Sequence, residues 1–581
     1  MKRLLIFCHY NKYHGLSDHI IYLLSHIKNI YDRVIFVSNS NVDIEKQKII
    51  KNYCDDIQLR ENRGYDFGAW KDVLIKEGWD KLSEYDNLTL MNDTCFGPLY
   101  DLEPLYNQME AQDIDFWGLT DNNTRSFKTN IPINIPIHSH IQSYFICFNN
   151  KIIKSIVFKK FWKSVKYEKN VDAVILKYET QLTTLLEKKG FTCSSVIKAR
   201  SVIAHNDMNI SFMFPDLCII NNIPFVKVKS FLHFPFPEYI QQLIQDKTNY
   251  PVSLITEHLT DIYDPSLSFT ITNKIFFPES CLYDKSFTPQ PKIAIHLHVF
   301  YLDIFEKYAA IFDEWTIEYD LFITTDTSEK KQEIIDYLYN HSTYKHLKEI
   351  IIFENHGRDI LPWLSISDKL ETYDIVGHFH TKKTITTIQS MGLLWQQELF
   401  GLLLIPVNTI LNTFNTNKNI GIIIPDIPRF FQSTPVIISN ERKFGIPMNN
   451  LWERMGCKKK LDFQDLTMFV FPYGNMFWYR PSALRPLFGL KPETLNIPKE
   501  PLPVQSILHC IERIPVYIAW SEGFDYRIGI HAVPRASSFH ANFVLNKQLR
   551  EFENSKNYRI GKLILSVPRL IKNLGRSLKH L

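Results

Sequence analysis

The stretch Glu61-Asn62-Arg63-Gly64-Tyr65-Asp66-Phe67-Gly68-Ala69-Trp70 decides the fold, because a related stretch recurs later in the chain. The second copy, Glu354-Asn355-His356-Gly357-Arg358-Asp359-Ile360-Leu361-Pro362-Trp363, keeps Glu, Asn, Gly, Asp and Trp in register at an offset of 293 residues (354 − 61). Each copy follows an apolar run, and its Gly and Asp are typical of a turn that opens a helix. A capped turn would explain either copy alone, but it would not explain the recurrence. The sequence therefore predicts one strand, turn and helix unit that occurs twice.

The composition excludes several classes of protein. Of the 581 residues, 45% are hydrophobic and the formal net charge is only +4, so large cores are expected and a nucleic-acid partner is not. The nine cysteines show no zinc-ligand spacing, which favours buried thiols in a reduced compartment. The chain becomes polar too soon after Met1 for a signal peptide, and no run approaches the roughly 18 apolar residues of a membrane-spanning helix.

The first half alternates strand patterns with helix patterns. Apolar runs at 4–8 and 32–37 flank a segment with helical spacing at 18–30, which predicts a mostly parallel sheet covered by helices on both faces. Ligands of such sheets collect at the carboxyl ends of the strands, where this sequence places polar residues. We therefore expect the ligand-binding residues of the first half to be His9, Asn62, Arg63, Asp66, Asn92 and Asp93.

The second half repeats this plan at offsets of about 287 to 293 residues, so we predict a duplicated α/β domain. The predicted divisions are a first domain at 1–265, a linker at 266–290, a second domain at 291–545 and a basic C-terminal tail at 546–581. The corresponding donor-binding candidates of the second half are His298, Asn355, Arg358, Asp359, His380, Lys382, Lys383 and Arg513.

The two copies differ after their fourth strands in a way that suggests two solutions to one electrostatic need. The first copy carries Asp93, which could hold a divalent cation such as Mg or Mn against phosphate oxygens. The second copy carries Lys382 and Lys383, which could neutralise a diphosphate without a metal. The structural alternatives are a turn cap for Asp93 and a solvated loop for the lysine pair.

Three residues are candidate catalytic groups. Glu179 stands near the start of a predicted helix, where it could remove a proton from an acceptor hydroxyl or simply favour the helix dipole. His509 and Glu512 are three residues apart on a predicted helix and so share a face. They could act as a base and its orienting partner, or Glu512 could itself be the base while Arg513 anchors a phosphate. The structural alternative is a buried polar contact that packs this helix on the sheet.

Several motifs in combination resemble the rhamnan synthesis protein F family. In the second half they are the repeated stretch, His378-Phe379-His380-Thr381-Lys382-Lys383-Thr384, Gly474-Asn475-Met476-Phe477-Trp478 and the segment 509–513, and in the first half they include Asn92-Asp93-Thr94 and Asp115-Phe116-Trp117-Gly118. The resemblance implies two tandem nucleotide-diphospho-sugar transferase domains of the GT-A type. It also implies transfer of a sugar, typically rhamnose, from a nucleotide donor such as dTDP-L-rhamnose to a lipid-linked glycan of a bacterial surface polysaccharide.

The C-terminal tail suggests where such an enzyme would act. Apolar residues of 559–581 recur on one face of a helical pattern, and Lys and Arg residues lie on the other. We expect this segment to bind an anionic membrane surface, because the acceptor implied by the resemblance is lipid-linked. A peripheral location on the inner face of the plasma membrane follows, and a helix docked on the protein itself is the alternative.

Three classes of function fit these patterns. The first is glycosyl transfer, with one or both domains active. The second is a glycan-binding or assembly protein that has lost catalysis, since a fold does not guarantee an activity. The third is a transferase of a polyol phosphate, which would release a nucleoside monophosphate in place of a diphosphate.

Overall fold

The computed structural model divides the chain into two compact units, Met1–Ile262 and Tyr263–Leu581. The residues that it describes are 1–13, 15–122, 135–199, 209–234, 236–276, 278, 282–287, 289–381, 389–428, 442–466, 468–503, 505–530, 547, 549–550, 552–555 and 558–559.

The first unit contains ten described strands and a set of mostly short helices. The strands are β1 (Arg3–His9), β2 (Arg33–Ser38), β3 (Asp56–Leu59), β4 (Asn87–Asn92), β5 (Cys95–Phe96), β6 (Phe116–Asn122), β7 (His140–Ile141), β8 (Phe145–Asn149), β9 (Cys193–Ile197) and β10 (Val226–Lys227). The helices are Asp18–Ile27, Lys28–Ile30, Ile44–Ile50, Tyr65–Glu77, Trp79–Leu82, Glu103–Glu110, Asn150–Lys154, Ile156–Ser164, Val171–Val174, Ile175–Glu179, Thr180–Glu187, Ile210–Met213, Pro215–Ile220, Ser230–His233, Pro237–Lys247 and Val252–Ile262.

The second unit likewise combines strands with mostly short helices. Its described strands are β11 (Ile275–Phe276), β12 (Ile293–His298), β13 (Asp320–Thr325), β14 (Leu347–Ile352), β15 (Ile375–His380), β16 (Ile420–Pro425), β17 (Phe477–Tyr479) and β18 (Asp525–Gly529). Its helices are Pro265–Ile271, Leu302–Asp313, Ser328–Leu338, Ser342–His346, Ile360–Ser365, Ser367–Leu370, Gln389–Leu403, Val407–Thr416, Arg442–Phe444, Gly445–Arg454, Pro481–Ala483, Arg485–Phe488, Pro492–Thr494, Ile507–Arg513 and Pro515–Ser521.

Each unit is built on one large sheet in which parallel pairs predominate. In the first unit seven strands follow the order β3-β2-β1-β4-β8-β6-β9, and β8 runs antiparallel to both of its neighbours. In the second unit the order is β14-β13-β12-β15-β17-β16-β18, and β17 is the antiparallel strand. The two sheets therefore share the order and the directions of seven strands. The expectation of a mixed α/β protein with parallel-rich sheets is confirmed.

Both faces of the sheets are buried, as the continuous apolar runs of the strands predict. Successive side chains of a strand point to opposite faces. In β1, Leu5 and Phe7 accordingly pack into one core while Leu4 and Ile6 pack into the other. Because helices cover both faces, polar groups of the strands reach solvent mainly at the sheet edges and at the strand ends.

The recurring stretch folds in the same way in both units. Gly64 and Tyr65 have φ angles of 75° and 55°, and Gly357 and Arg358 have φ angles of 77° and 55°. In each copy an amide donates a hydrogen bond to the carbonyl oxygen of the Gly, over 2.8 Å in the first unit and 3.2 Å in the second. The predicted sequence of strand, turn and helix is thus found twice.

The segment predicted as a linker, 266–290, contributes elements to the second unit instead. A helix spans Pro265–Ile271, and the Asp264 carboxylate caps it by accepting a hydrogen bond from the Ser266 amide over 3.0 Å. β11 then extends the sheet beside β18, and the buried Lys274 forms an ion pair of 2.6 Å with Asp525. A seven-residue helix and a two-residue strand are too short to show a periodic pattern of apolar residues, so the sequence of this segment indicates a linker.

Among the described residues, no single helix has the length and apolar character needed to cross a bilayer. The pair Gly392–Leu403 and Val407–Thr416 satisfies that test only when taken together, and a bend of 44° separates the two helices. Of the predicted tail, the structure describes only a few residues, the last of which is Arg559. The basic amphipathic helix that we predict at 559–581 falls almost entirely outside the described residues and stays a prediction.

We expect Gly64→Ala and Gly357→Ala each to destabilise the protein by about 2 kcal/mol or more, because both glycines have positive φ and lack space for a Cβ atom. An added Cβ would lie 3.0 Å from Cα of Tyr167 in the first unit and 2.4 Å from Cβ of Leu361 in the second. Urea unfolding would measure the loss. Gly190→Ala and Gly456→Ala are matched controls, since both glycines have positive φ with no atom within 4 Å of the added Cβ. Equal effects in tests and controls would contradict the steric part of this argument.

Candidate functional site

A cavity of about 390 Å³ lies at the carboxyl ends of the central strands of the first unit. Asn92 and Asn122, the last residues of β4 and β6, line it. Its other polar lining includes two carboxylates, two lysines, a histidine and two further amides, namely Asp66, Glu179, Lys227, Lys229, His140, Gln142 and Asn209. Of the predicted site residues of this unit, the structure brings together Asp66, Asn92 and Glu179.

The side chain of Asp66 is directed at the end of β4. Its Oδ2 accepts a hydrogen bond of 2.9 Å from Nδ2 of Asn92, and its Oδ1 accepts one of 2.9 Å from the Phe67 amide. Burial raises the pKa of Asp66 to about 6, with the Asn92 hydrogen bond opposing the shift and the Glu179 charge adding to it. The carboxylate is therefore a polar group of the cavity as well as a residue of the first turn of its helix.

The sequence predicts that Glu179 stands near the start of a helix, but the structure places it inside a continuous helical segment. It ends a π-helical turn, Ile175–Glu179, that continues directly into the α-helix Thr180–Glu187. The Ser143 amide donates a hydrogen bond of 3.0 Å to its Oε1 and so orients the carboxylate. Single π-turns inside helices are frequent at functional sites. The reading of Glu179 as a residue that favours a helix dipole is therefore wrong, and its position in the cavity suits a proton acceptor.

Lys227 is a cavity residue that the sequence patterns do not reveal. It lies in β10, which pairs antiparallel with β5 so that Lys227 stands opposite Cys95. Its Nζ lies 4.7 Å from the ring centroid of Tyr144, and burial lowers the pKa of Lys227. A single lysine within the apolar run 223–228 was the only signal in the sequence, and it gives no indication that the chain returns to the end of β4.

The other predicted residues of the first unit lie off the cavity lining. Asn62 and Arg63 are exposed. His9 is buried, with Nδ1 at 2.9 Å from Oγ of Ser38, and burial lowers its pKa to about 3. Asp93 is half-buried and its Oδ2 accepts a hydrogen bond of 2.6 Å from the Tyr10 amide, while burial raises its pKa to about 7.

In the second unit, four histidines occupy the corresponding ends of two adjacent parallel strands. His296 and His298 of β12 are paired in register with His378 and His380 of β15. Nδ1 of His296 is 2.9 Å from Nδ1 of His378, and the Thr324 hydroxyl is 3.0 Å from a ring nitrogen of both His296 and His298. Burial lowers the pKa of His298 to about 4 and that of His296 well below its usual range.

Asp359 lies at the end of this histidine cluster. Its Oδ2 accepts a hydrogen bond of 2.6 Å from Nδ2 of Asn475 and lies 3.6 Å from Nε2 of His378 and 3.8 Å from Nε2 of His380. Burial raises the pKa of Asp359, but the two histidines and the Asn475 hydrogen bond outweigh burial and hold it well below its usual range. The carboxylate makes no side-chain cap of the helix that follows, contrary to the interpretation from the sequence.

The remaining candidates of the second unit form a second polar group. Arg358 donates from Nε to Glu500 over 2.8 Å, and the Ser506 hydroxyl is 2.8 Å from Nδ1 of His509. Burial lowers the pKa of His509, against the opposing charge of Glu512. The Arg513 guanidinium lies 3.3 Å from Glu512 and 4.3 Å from the ring centroid of Phe444, so it is packed as well as charged. Asn355 is exposed, and Lys382 and Lys383 lie outside the described residues.

Comparison with known families decides the relationship of this chain. The sequence profile of rhamnan synthesis protein F matches residues 34–524, which is most of the chain. The chain belongs to the rhamnan synthesis protein F family. The resemblance drawn from the sequence motifs is thereby confirmed, and the match includes both the cavity of the first unit and the histidine cluster of the second.

Individual relatives of this family member match over shorter stretches. Protein y4gN of Sinorhizobium fredii is 27% identical over 190 residues, 32% of this chain and 47% of that protein. Protein WxcX of Xanthomonas campestris pv. campestris is 31% identical over 259 residues, 43% of this chain and 35% of that protein. This chain thus spans less than half of the length of either relative. Among solved structures, a 4-diphosphocytidyl-2C-methyl-D-erythritol synthase matches 38% of this chain and 97% of its own. Its sequence identity to this chain is 14% and its TM-score is 0.23.

Proposed function

We propose that this protein is a glycosyltransferase that moves a sugar from a nucleotide-diphosphate donor to a glycan, with the reaction taking place in the cavity of Met1–Ile262. The observation that carries the proposal is the convergence of Glu179, Asp66 and Lys227 on one cavity at the carboxyl ends of parallel strands. Such strand ends are where open α/β sheets bind their ligands. Membership of a family named for rhamnan synthesis supports the same class of reaction.

The geometry suggests a role for each group. Glu179, oriented by the Ser143 amide, would accept the proton of the acceptor hydroxyl as that oxygen forms its bond to the anomeric carbon. The bond between the anomeric carbon and the diphosphate breaks in the same step, and its electron pair leaves on the phosphate oxygen. The Lys227 ammonium would stabilise that developing charge. Asp66 and Asn92 are joined by a hydrogen bond of 2.9 Å. The carboxylate would accept hydrogen bonds from sugar hydroxyls, and the amide would donate to them.

We propose rhamnose as the transferred sugar and dTDP-L-rhamnose as the donor, because the family profile describes rhamnan synthesis. The acceptor would be a lipid-linked glycan of a bacterial surface polysaccharide. The basic pattern of 559–581 supports binding to the inner face of the plasma membrane, where such acceptors are assembled.

We further propose that the two units arose by duplication of one GT-A-type domain. Two observations support this origin. The sheets share seven strands in order and direction, and the repeated turn has matching φ angles in both copies. In the second unit Lys382, Lys383 and His380 would then neutralise the diphosphate at the place where the first unit has the loop after β4. The pairing of Arg358 with Glu500 indicates that this guanidinium would have to exchange partners before it could bind a phosphate.

Cleavage of nucleotide sugars tests the proposal and identifies the active unit. We expect the protein to release a nucleoside diphosphate from dTDP-L-rhamnose in a panel of donors, detected by chromatography with and without glycan acceptors. Asp66→Asn and Asp359→Asn form a matched pair at equivalent positions of the repeat, and the variant that lowers the rate tenfold or more marks the working unit. Release of a monophosphate would indicate transfer of a phosphorylated group. Cleavage of no donor by a protein that binds glycans would indicate an assembly role.

A further inference from the structure

Lys227 is an ammonium group placed in a cavity without an ion pair from the described part of the chain. It is half-buried, it lines the cavity, and its Nζ lies 4.7 Å from the ring centroid of Tyr144. None of the described carboxylates forms an ion pair with it. A cation that has lost part of its hydration is unfavourable unless a counter-charge is supplied. The negative charge of Glu179 acts on Lys227 within the cavity without forming an ion pair, so an anionic group of a ligand can still pair with this ammonium.

The backbone fixes Lys227 beside the loop that follows β4. The Val228 amide donates a hydrogen bond of 2.9 Å to the carbonyl oxygen of Thr94, and Lys227 stands opposite Cys95 in the register of β10 and β5. Lys229 lines the same cavity two residues later. In the second unit, Lys382 and Lys383 follow directly in sequence after β15, the counterpart of β4. The first unit thus brings a pair of lysines to its cavity by a returning strand, and the second unit has a pair of lysines in the sequence two residues after its fourth strand ends.

The sequence predicts a divalent cation at Asp93, and the two lysines offer an alternative way to neutralise a diphosphate. The Asp93 carboxylate accepts the Tyr10 amide over 2.6 Å and does not line the cavity. Within the described residues, no cluster of three or more His, Cys, Asp or Glu side chains is placed to hold a metal ion. The Mg or Mn site at Asp93 stays a prediction, and binding measured with and without a chelator separates it from a site made by the lysines.

We propose that the cavity of the first unit binds the diphosphate of its ligand through Lys227, assisted by Lys229, and without a divalent cation. This inference rests on the proposed function, because it assigns the part of the nucleotide sugar that the lysines hold. Lysine acts here as a compact point charge that can approach two phosphate oxygens at once. Asp66 and Glu179 remain available for the sugar and for the acceptor hydroxyl.

Isothermal titration calorimetry with inorganic pyrophosphate in EDTA tests this inference, since pyrophosphate represents the diphosphate of any nucleotide sugar. All proteins carry Lys382→Met and Lys383→Met, so that the second unit contributes little binding. We expect Lys227→Met to weaken binding at least tenfold, because Met keeps the aliphatic stem and removes the charge. Lys227→Arg should keep most of the affinity. Lys247→Met removes the same charge at an exposed helix end and should leave the Kd within twofold.

Two results would overturn the inference. One is equal pyrophosphate binding by Lys227→Met and its parent, and the other is pyrophosphate binding that occurs only when Mg²⁺ or Mn²⁺ replaces EDTA. Either result leaves the proposed function standing if the wild-type protein still cleaves a nucleotide sugar. Conversely, a Lys227-dependent pyrophosphate site in a protein that cleaves no nucleotide sugar would support the anion site and reject the glycosyltransferase assignment. A fold check by circular dichroism confirms that each variant is native before it is scored.

Discussion

Glu179→Gln should lower the rate of sugar transfer at least 100-fold while leaving nucleotide affinity within twofold. The amide keeps the size of the side chain and still accepts the hydrogen bond from the Ser143 amide, but it has no basicity toward an acceptor hydroxyl. General-base catalysis contributes roughly 10²- to 10⁴-fold in enzymes, which sets the expected loss. The measurement is kcat for transfer from the donor identified above, together with the Kd of the nucleoside diphosphate.

The matched control for this prediction is Glu187→Gln. Glu187 ends the α-helix that Glu179 precedes, is exposed, and does not line the cavity, so its replacement should not change the rate. If Glu179→Gln transfers sugar at the wild-type rate, Glu179 is not the base. A loss of nucleotide affinity equal to the loss of rate would instead indicate a role in binding.

The free energy of unfolding of the second unit should fall by roughly 4 kcal/mol between pH 7 and pH 5. Burial lowers the pKa values of His296, His298 and His378 in the folded protein, whereas unfolded histidines titrate near 6.5. Below pH 6.5 the unfolded chain therefore binds more protons than the folded one, and stability is lost as the pH falls. A histidine that stays neutral in the folded protein contributes about 1.4 kcal/mol per pH unit below 6.5, or about 2 kcal/mol at pH 5, so His296 and His298 together account for roughly 4 kcal/mol. His378 adds a loss of the same sign. Asp359, whose pKa is also lowered, adds a loss of the same sign only at pH values near 4 and below.

The effect can be localised by equilibrating the protein in urea at each pH and then labelling amides at one fixed pH. Peptides that cover β12 and β15 report the second unit by mass spectrometry. In the first unit the raised pKa values of Asp66 and Asp93 make the folded state more stable as the pH falls, whereas the lowered pKa of a buried histidine such as His9 makes it less stable. Because these effects oppose each other, the stability of the first unit should change less with pH. His296→Gln should flatten the dependence of the second unit by about a third, whereas His26→Gln, at an exposed position, should not. A stability that is equal at pH 7 and pH 5 would contradict the neutral histidine cluster.

The parts of the fold that depend on local pattern could be predicted from the sequence. The repeated turn, the strands that open each half, the placement of Asn92 at a strand end and that of Asp66 after the turn follow from period, glycine position and the rule for ligands of parallel sheets. The helix Pro265–Ile271 could not be predicted, because it is short and stands in a segment that contains several prolines.

The site was only partly predictable for a different reason. Lys227 reaches the cavity through a pairing of two-residue strands that are 132 residues apart (227 − 95), and no local pattern encodes such a pairing. The position of Asp93 between two polar residues after an apolar strand predicts a ligand-binding role, but it does not reveal that its carboxylate accepts a hydrogen bond from the Tyr10 amide at the end of another strand. Composition and spacing indicate which residues stand at the strand ends, whereas tertiary hydrogen bonds decide which side chains face the cavity.

The late return of β10 has a consequence for synthesis on the ribosome. All eight strands of the first sheet are present once residue 197 has emerged, so the sheet can form before the segment with Lys227 is translated. The nascent unit would pass through a stage in which its acidic groups are in place and its positive charge is missing. Nucleotide binding by the newly made protein should thus begin only when about thirty more residues have left the exit tunnel.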